Sequence, residues 1–146
     1  MPLKIHVING PNLNMLGNRE KNIYGNKSLE DINNNLIKTF TSIIELEFFQ
    51  NNSEGEIINY IHTLSEKKTD GIVINAGAYT HTSIAIRDSL LSINIPFIEV
   101  HLSNIYKREE FRQKSYLSDI AIGIISGFGE DSYKMAIQYF INHPLK

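Results

Sequence analysis

Lys4-Ile-His-Val-Ile-Asn-Gly-Pro-Asn-Leu-Asn-Met-Leu-Gly-Asn-Arg-Glu-Lys-Asn-Ile-Tyr-Gly25 opens the chain, and the two halves of this stretch read differently. The first half is a short apolar strand over 5–8, broken at Asn9-Gly10-Pro11, a strong turn signal. The second half is polar, rich in asparagine, and shows no helical period before Ser28. A loop of that length inside a compact domain is usually functional or disordered. Gly17 and Gly25 bracket Arg19 and Tyr24, which predicts a hinged lid. Asn12 and Asn14 fall where a first strand delivers its loop to the carboxyl edge of a sheet. The competing reading is a long surface connection with no chemistry.

Working outward, strands and helices alternate. Ser28-Leu-Glu-Asp31 has the form of a capping box, and Leu29, Ile32, Leu36, Ile37 and Phe40 recur at helical spacing behind it. A second strand is predicted over 43–49. Ser53-Glu-Gly-Glu56 forms another capping box ahead of a helix carrying Ile57, Ile58, Ile61 and Leu64. Asp70-Gly71 turns into a third strand over 72–75, and a third helix follows over 83–91. A fourth strand is predicted over 96–100, a helix over 107–113, a fifth strand over 120–125 and a closing helix over 131–141. Strict alternation with short, continuously apolar strands argues for a parallel sheet covered on both faces. The expected architecture is a flavodoxin-like three-layer α/β/α fold, a five-stranded parallel sheet in the order 2-1-3-4-5. Its ligand site would lie at the switch between strands one and three, where Asn9 and Asn12, Asn75 and His101 converge.

Composition narrows the function. The 146 residues fit one domain over 1–146, and a formal net charge of −2 gives no footprint for nucleic acid. No apolar run approaches the roughly eighteen residues of a membrane span, and no secretory h-region precedes the first strand. Cysteine is absent, which removes disulfides and thiolate chemistry. A soluble, cytoplasmic protein is expected.

The first loop has neither of the glycine patterns that cradle phosphate, the five histidines show no metal-ligand pairing, and no nucleophile elbow occurs. Glu99-Val-His101 says more. Residues two apart in a strand share a face, and a carboxylate beside an imidazole fixes its tautomer and favours the imidazolium, which suits a general acid. A strand-end histidine satisfied by a structural glutamate is the alternative. Arg108 and Arg112, four apart, would share a helix face and could hold a carboxylate or hydroxyls, or pair with Glu109 and Glu110. His81 lies in the loop after the third strand. Asp88, seven residues on, is about 10 Å further along a helix, so a role at the same ligand would come through a subunit contact.

Three long blocks carry a resemblance. Asn9-Gly-Pro-Asn-Leu-Asn-x-Leu-Gly-x-Arg-Glu-x-x-x-Tyr-Gly25 resembles the N-terminal signature of type II 3-dehydroquinate dehydratases. Asn75-Ala-Gly-Ala-Tyr-Thr-His-Thr-Ser-x-Ala-x-Arg-Asp88 resembles the second signature of that family. Glu99-Val-His-Leu-Ser-Asn-x-x-x-Arg-Glu-Glu-Phe-Arg112, followed by Ser115-Tyr116, resembles the third, and Gly127-Phe-Gly129 with Tyr133 the closing turn. The resemblance implies dehydration of 3-dehydroquinate to 3-dehydroshikimate through an enolate, with anti stereochemistry and no metal or organic cofactor. It implies Tyr24 as the base, acting as tyrosinate, with Arg19 beside it and Arg108 in support. It implies that Asn12 positions a water at the enolate and that His101, oriented by Glu99, protonates the leaving hydroxyl. Asn75, His81 and Arg112 would bind substrate, with backbone amides near Leu102 and Ser103 helping to hold its carboxylate. Asp88 would reach a neighbouring subunit's site in a trimer, four of which form a dodecamer.

Three positions depart from the family pattern: Asn51 in Gln50-Asn51-Asn52 where serine is usual, Asp119 for a common proline, and Ser126 for a frequent cysteine. Two other classes stay open on the residues alone. One is a non-catalytic flavodoxin-like module for a small ligand. The other is a lyase for a different polyhydroxylated ring acid.

Overall fold

The structure, a computed structural model, describes residues 2–17 and 27–144. Strands β1 (Leu3–Asn9), β2 (Ile44–Gln50), β3 (Gly71–Asn75), β4 (Phe97–His101) and β5 (Gly123–Ser126) form one parallel sheet in the order β2-β1-β3-β4-β5. Parallel neighbours need crossovers. The described residues supply helices α1 (Leu29–Phe40), α2 (Glu54–Thr63), α3 (Ile84–Ile93) and α4 (Asp131–Asn142).

Because successive strand residues point to opposite faces, the core splits in two. Ile5, Val7, Val73, Ile98 and Val100 pack with Ile32, Leu36 and Phe40 of α1, and with Ala136, Ile137 and Phe140 of α4. Ile8, Ile72, Ile74 and Phe97 face Ile57 and Ile61 of α2 and Ile86 and Leu90 of α3. Three layers result, with α1 and α4 on one side of the sheet and α2 and α3 on the other.

Local signals explain most boundaries. The Ser28 capping box closes in both directions: Asp31 N–H donates to Ser28 Oγ at 3.1 Å, and Ser28 N–H to Asp31 Oδ2 at 3.2 Å. The Ser53 box closes only halfway. Glu56 N–H donates to Ser53 Oγ at 3.3 Å, but the Ser53 N–H goes to Asn51 Oδ1 at 2.8 Å, so Asn51 takes the second bond. Gly10 is required by a close approach: a Cβ there would lie 2.3 Å from the Ala76 carbonyl oxygen, where β1 and β3 end together.

Two elements differ from the sequence expectation. The segment 107–113 is not a helix but two 3-10 turns, Ile105–Lys107 and Glu110–Arg112, with Arg108 extended between them. The Gln113 side-chain amide donates to the Tyr106 and Arg108 carbonyls at 3.3 and 3.5 Å, serving acceptors that a continuous helix would have used. The fifth strand starts at Gly123 rather than 120, because the amides of Ile120 and Ala121 turn back onto the Leu117 carbonyl at 3.2 and 3.1 Å.

Candidate active site

β1 and β3 are neighbours whose following connections leave in opposite directions across the sheet order, and a cleft opens at their carboxyl ends. Asn12 enters it from the loop after β1, held in the left-handed conformation at φ 69°. That position is clamped from outside: Asn52 Oδ1 accepts the Asn12 N–H at 3.0 Å, and the Gln50 amide donates to the Gly10 carbonyl at 3.0 Å. Asn75, at the end of β3, lines the cleft with its side chain already engaged. Its amide donates to Tyr133 Oη at 3.0 Å and its oxygen accepts the Gly77 N–H at 3.1 Å. Tyr133 in turn donates to Asn9 Oδ1, tying α4 to the ends of both strands. Burial pushes the Tyr133 phenol above its usual value, so it serves as a neutral donor.

His81 and His101 stack with ring centroids 6.3 Å apart, and both line the cleft. His81 Nδ1 bonds the Lys114 carbonyl at 2.8 Å, which leaves Nε2 for a ligand. Burial lowers the His81 pKa despite that carbonyl, with the charges of His101 and Arg112 acting in the same direction as burial. His101 Nε2 lies 2.5 Å from Glu99 Oε2, which leaves Nδ1 as its remaining nitrogen. Glu99 is fully buried beneath it and does not line the cleft. Burial opposes its charged form, but hydrogen bonds from His101, Ser118 and Ser115 outweigh that and hold the carboxyl below its usual range.

The opposite wall carries Leu102, Ser103, Arg108 and Arg112. Ser126 supports the turn, donating to the Ser103 carbonyl at 2.9 Å and accepting the Ile105 N–H at 3.3 Å. Arg108 and Arg112 do not share a helix face, yet both reach the cleft, because the two 3-10 turns fold back on each other. Glu109 lies 2.8 Å from Arg112 Nε and 4.0 Å from Arg108 Nε, outside the lining. Among the described residues the cleft therefore has two guanidiniums, two imidazoles and two asparagines, and no carboxylate. Such a surface suits a small anion bearing several hydroxyls.

Asp88 does not line this cleft; it is exposed on α3. Arg19 and Tyr24, and with them the lid bracketed by Gly17 and Gly25, lie outside the described residues. Sequence reasoning missed Asn52, Thr80 and Ser118, all of which contact site residues. Their partners are 40, 19 and 19 positions away, and no local pattern marks them.

The architecture and cleft define a small-molecule site at the switch point of a parallel α/β sheet. The chain matches the model of the family Dehydroquinase class II over residues 3–141 and belongs to that family. It is 56% identical over 138 residues to a 3-dehydroquinate dehydratase of Prochlorococcus marinus (strain NATL1A), covering 94% of both chains. It is 57% identical over 142 residues to one from Francisella philomiragia, covering 97% of this chain and 96% of the other. A crystal structure of type II dehydroquinase from Butyrivibrio crossotus superposes with a TM-score of 0.93 at 52% identity, covering 97% of this chain and 98% of the other.

Proposed function

We propose that this chain removes water from 3-dehydroquinate to give 3-dehydroshikimate, with anti stereochemistry and through an enolate, in the shikimate pathway. The observation that carries this reading is the buried Glu99 seating His101 at the edge of an arginine-lined, carboxylate-free cleft. One catalytic domain spans the chain, and the strand order supports reading it as flavodoxin-like.

Tyr24, as tyrosinate, takes the proton from C2, and the C–H electrons pass into the enolate of the neighbouring ketone. A free phenol with a pKa near 10 is a poor base at neutral pH, so its anion needs cationic neighbours. Arg19 and Arg108 serve that purpose, each pKa unit of lowering corresponding to about 1.4 kcal/mol in favour of tyrosinate. A water held by Asn12 stabilises the enolate oxygen. The enolate then collapses, C1–O breaks, and His101, oriented by Glu99, gives its proton to the departing hydroxyl. Arg112 and the amides near Leu102 and Ser103 hold the substrate carboxylate, while Asn75 and His81 bind hydroxyls. No metal or organic cofactor enters these steps.

Asp88 acts across a subunit contact in a trimer, within a dodecamer; its exposure away from its own cleft supports this. The enzyme is cytoplasmic, and among the described residues no helix is long and apolar enough to cross a membrane.

The test is growth of conjugated-enone absorbance when the purified protein meets 3-dehydroquinate, with Tyr24→Phe in parallel. Product from the wild type and a nearly complete loss in Tyr24→Phe, with substrate affinity kept, are expected. Turnover retained in the variant removes Tyr24 from the reaction. Absence of product from both, with the protein assembled, leaves a binding module. Light scattering that finds fewer than twelve chains overturns the dodecamer.

A further inference from the structure

A carboxyl group cut off from water is pushed toward its neutral form, and Glu99 is fully buried. Its hydrogen-bond partners among the described residues are His101 and three hydroxyls. Thr80 Oγ1 lies 3.4 Å from Oε2, Ser118 Oγ 2.6 Å from Oε1, and Ser115 Oγ 2.9 and 3.0 Å from the two oxygens. A hydroxyl usually serves either ionisation state, because it can donate or accept. Ser115 is different. Its oxygen accepts the N–H groups of Leu117 at 3.0 Å and Ser118 at 3.1 Å, which fills both lone pairs. Only its proton is left for Glu99, and a protonated carboxyl has no acceptor to meet there.

We propose that Ser115 is a positioning residue acting through Glu99: a hydroxyl locked as a donor, which selects the carboxylate that orients His101 for the elimination. This rests on Glu99 and His101 being the acid pair of the proposed reaction. The segment that carries Ser115 is itself held in place. Tyr116 N–H donates to the Thr80 carbonyl at 2.9 Å. Arg87 on α3 donates to the Tyr116 carbonyl at 2.8 Å and forks onto Asp119 at 2.5 and 3.0 Å. The Arg87–Asp119 ion pair thus anchors this end of the cradle, at one of the three positions that depart from the family pattern.

The groups that face the pair leave the carboxylate dependent on these donors. β3 and β5 place Ile74 and Ile124 in register with Glu99. The turn after β3 brings His81, which senses both His101 and Glu99, and beyond it Arg112. From α3, Arg87 is committed to Asp119 and Asp88 is exposed.

The test is the pH profile of kcat for wild type, Ser115→Ala, Ser115→Thr and His101→Ala. In Ser115→Ala the acid limb is expected to move up by about one pH unit, the size of one lost charge-assisted hydrogen bond, with little change on the alkaline side. Ser115→Thr, which keeps the hydroxyl, is expected to restore the wild-type limb. A Ser115→Ala profile superimposed on wild type, or lowered equally at every pH, overturns the proposal. High turnover in His101→Ala would instead overturn the acid pair itself. Should Ser115→Ala not assemble, difference infrared spectra of wild type against Glu99→Gln decide. No protonated-carboxyl band from Glu99 is expected at about pH 5, and its appearance overturns the proposal.

Discussion

Two buried histidines in this sheet each stand beside a glutamate, and only one of them faces a cleft. His6 lies in the middle of β1, in register with Glu47 of β2, and is sealed beneath α2. Its Nδ1 meets Tyr60 Oη at 2.8 Å and Glu47 at 3.4 Å, while its buried Nε2 has no hydrogen-bond partner among the described residues. His101 sits at the carboxyl end of β4, its glutamate beneath it and its other nitrogen toward the cleft. Burial of the carboxylate also differs: Glu47 is 41% exposed, whereas Glu99 is fully buried among donors. A histidine–glutamate pair is therefore not a site by composition. It becomes one where the strand ends and where the carboxylate is sealed from water while the imidazole keeps an edge on the cleft.

Substitutions can break this contrast. His101→Ala is expected to lower turnover by about 10²–10⁴-fold, the usual worth of a positioned acid, while hydrogen exchange at C2 continues. His6→Asn should leave kcat within about twofold on the same scale. A comparable loss in both variants would erase the distinction, and loss of exchange in His101→Ala would move that residue to the first step. Glu99→Gln is expected to cost about 10²-fold, the lower end of the same range, since the imidazole stays but its orientation and charge support go. Equal turnover in wild type and Glu99→Gln would make Glu99 a structural residue.

Stability should separate the pairs by pH. Burial lowers the His6 pKa in the folded state, against Glu47, so the unfolded chain binds a proton more readily. Stability from this site is then lost as pH falls below about 6.5, by at most about 1.4 kcal/mol per pH unit, until the folded-state pKa is reached. Glu99 is shifted the other way relative to its charged form, so its contribution is present above about 4.5 and is lost only in more acid solution. Denaturant midpoints between neutral pH and about pH 5 check this, and His6→Asn should flatten the slope in that window. The smallest effect belongs to Glu47→Gln. Turnover should not change, and stability should move by less than about 1 kcal/mol at neutral pH, because a partly exposed carboxylate is well screened. A larger change would show that Glu47 holds His6 as firmly as Glu99 holds His101.

The order of elements, the parallel sheet and the convergence of Asn12, Asn75 and His101 were all legible in the chain. Each rests on a local signal: apolar runs too short for helices, capping serines, and polar residues placed where strands end. The segment 107–113 reads as a helix because Arg108 and Arg112 stand four apart, while side-chain bonds of Gln113 and Asn104 with nearby backbone decide otherwise. What the sequence by itself determined is thus the alternation, the position of the cleft and the kinds of group that line it. Only the tertiary structure decided that Asn52 clamps Asn12 and that Ser115 and Ser118 enclose Glu99. Those contacts join residues 16 to 40 positions apart, so nothing in local propensity reports them. They exist because parallel strands bring the ends of distant connections to one edge, where a buried charge must find its donors.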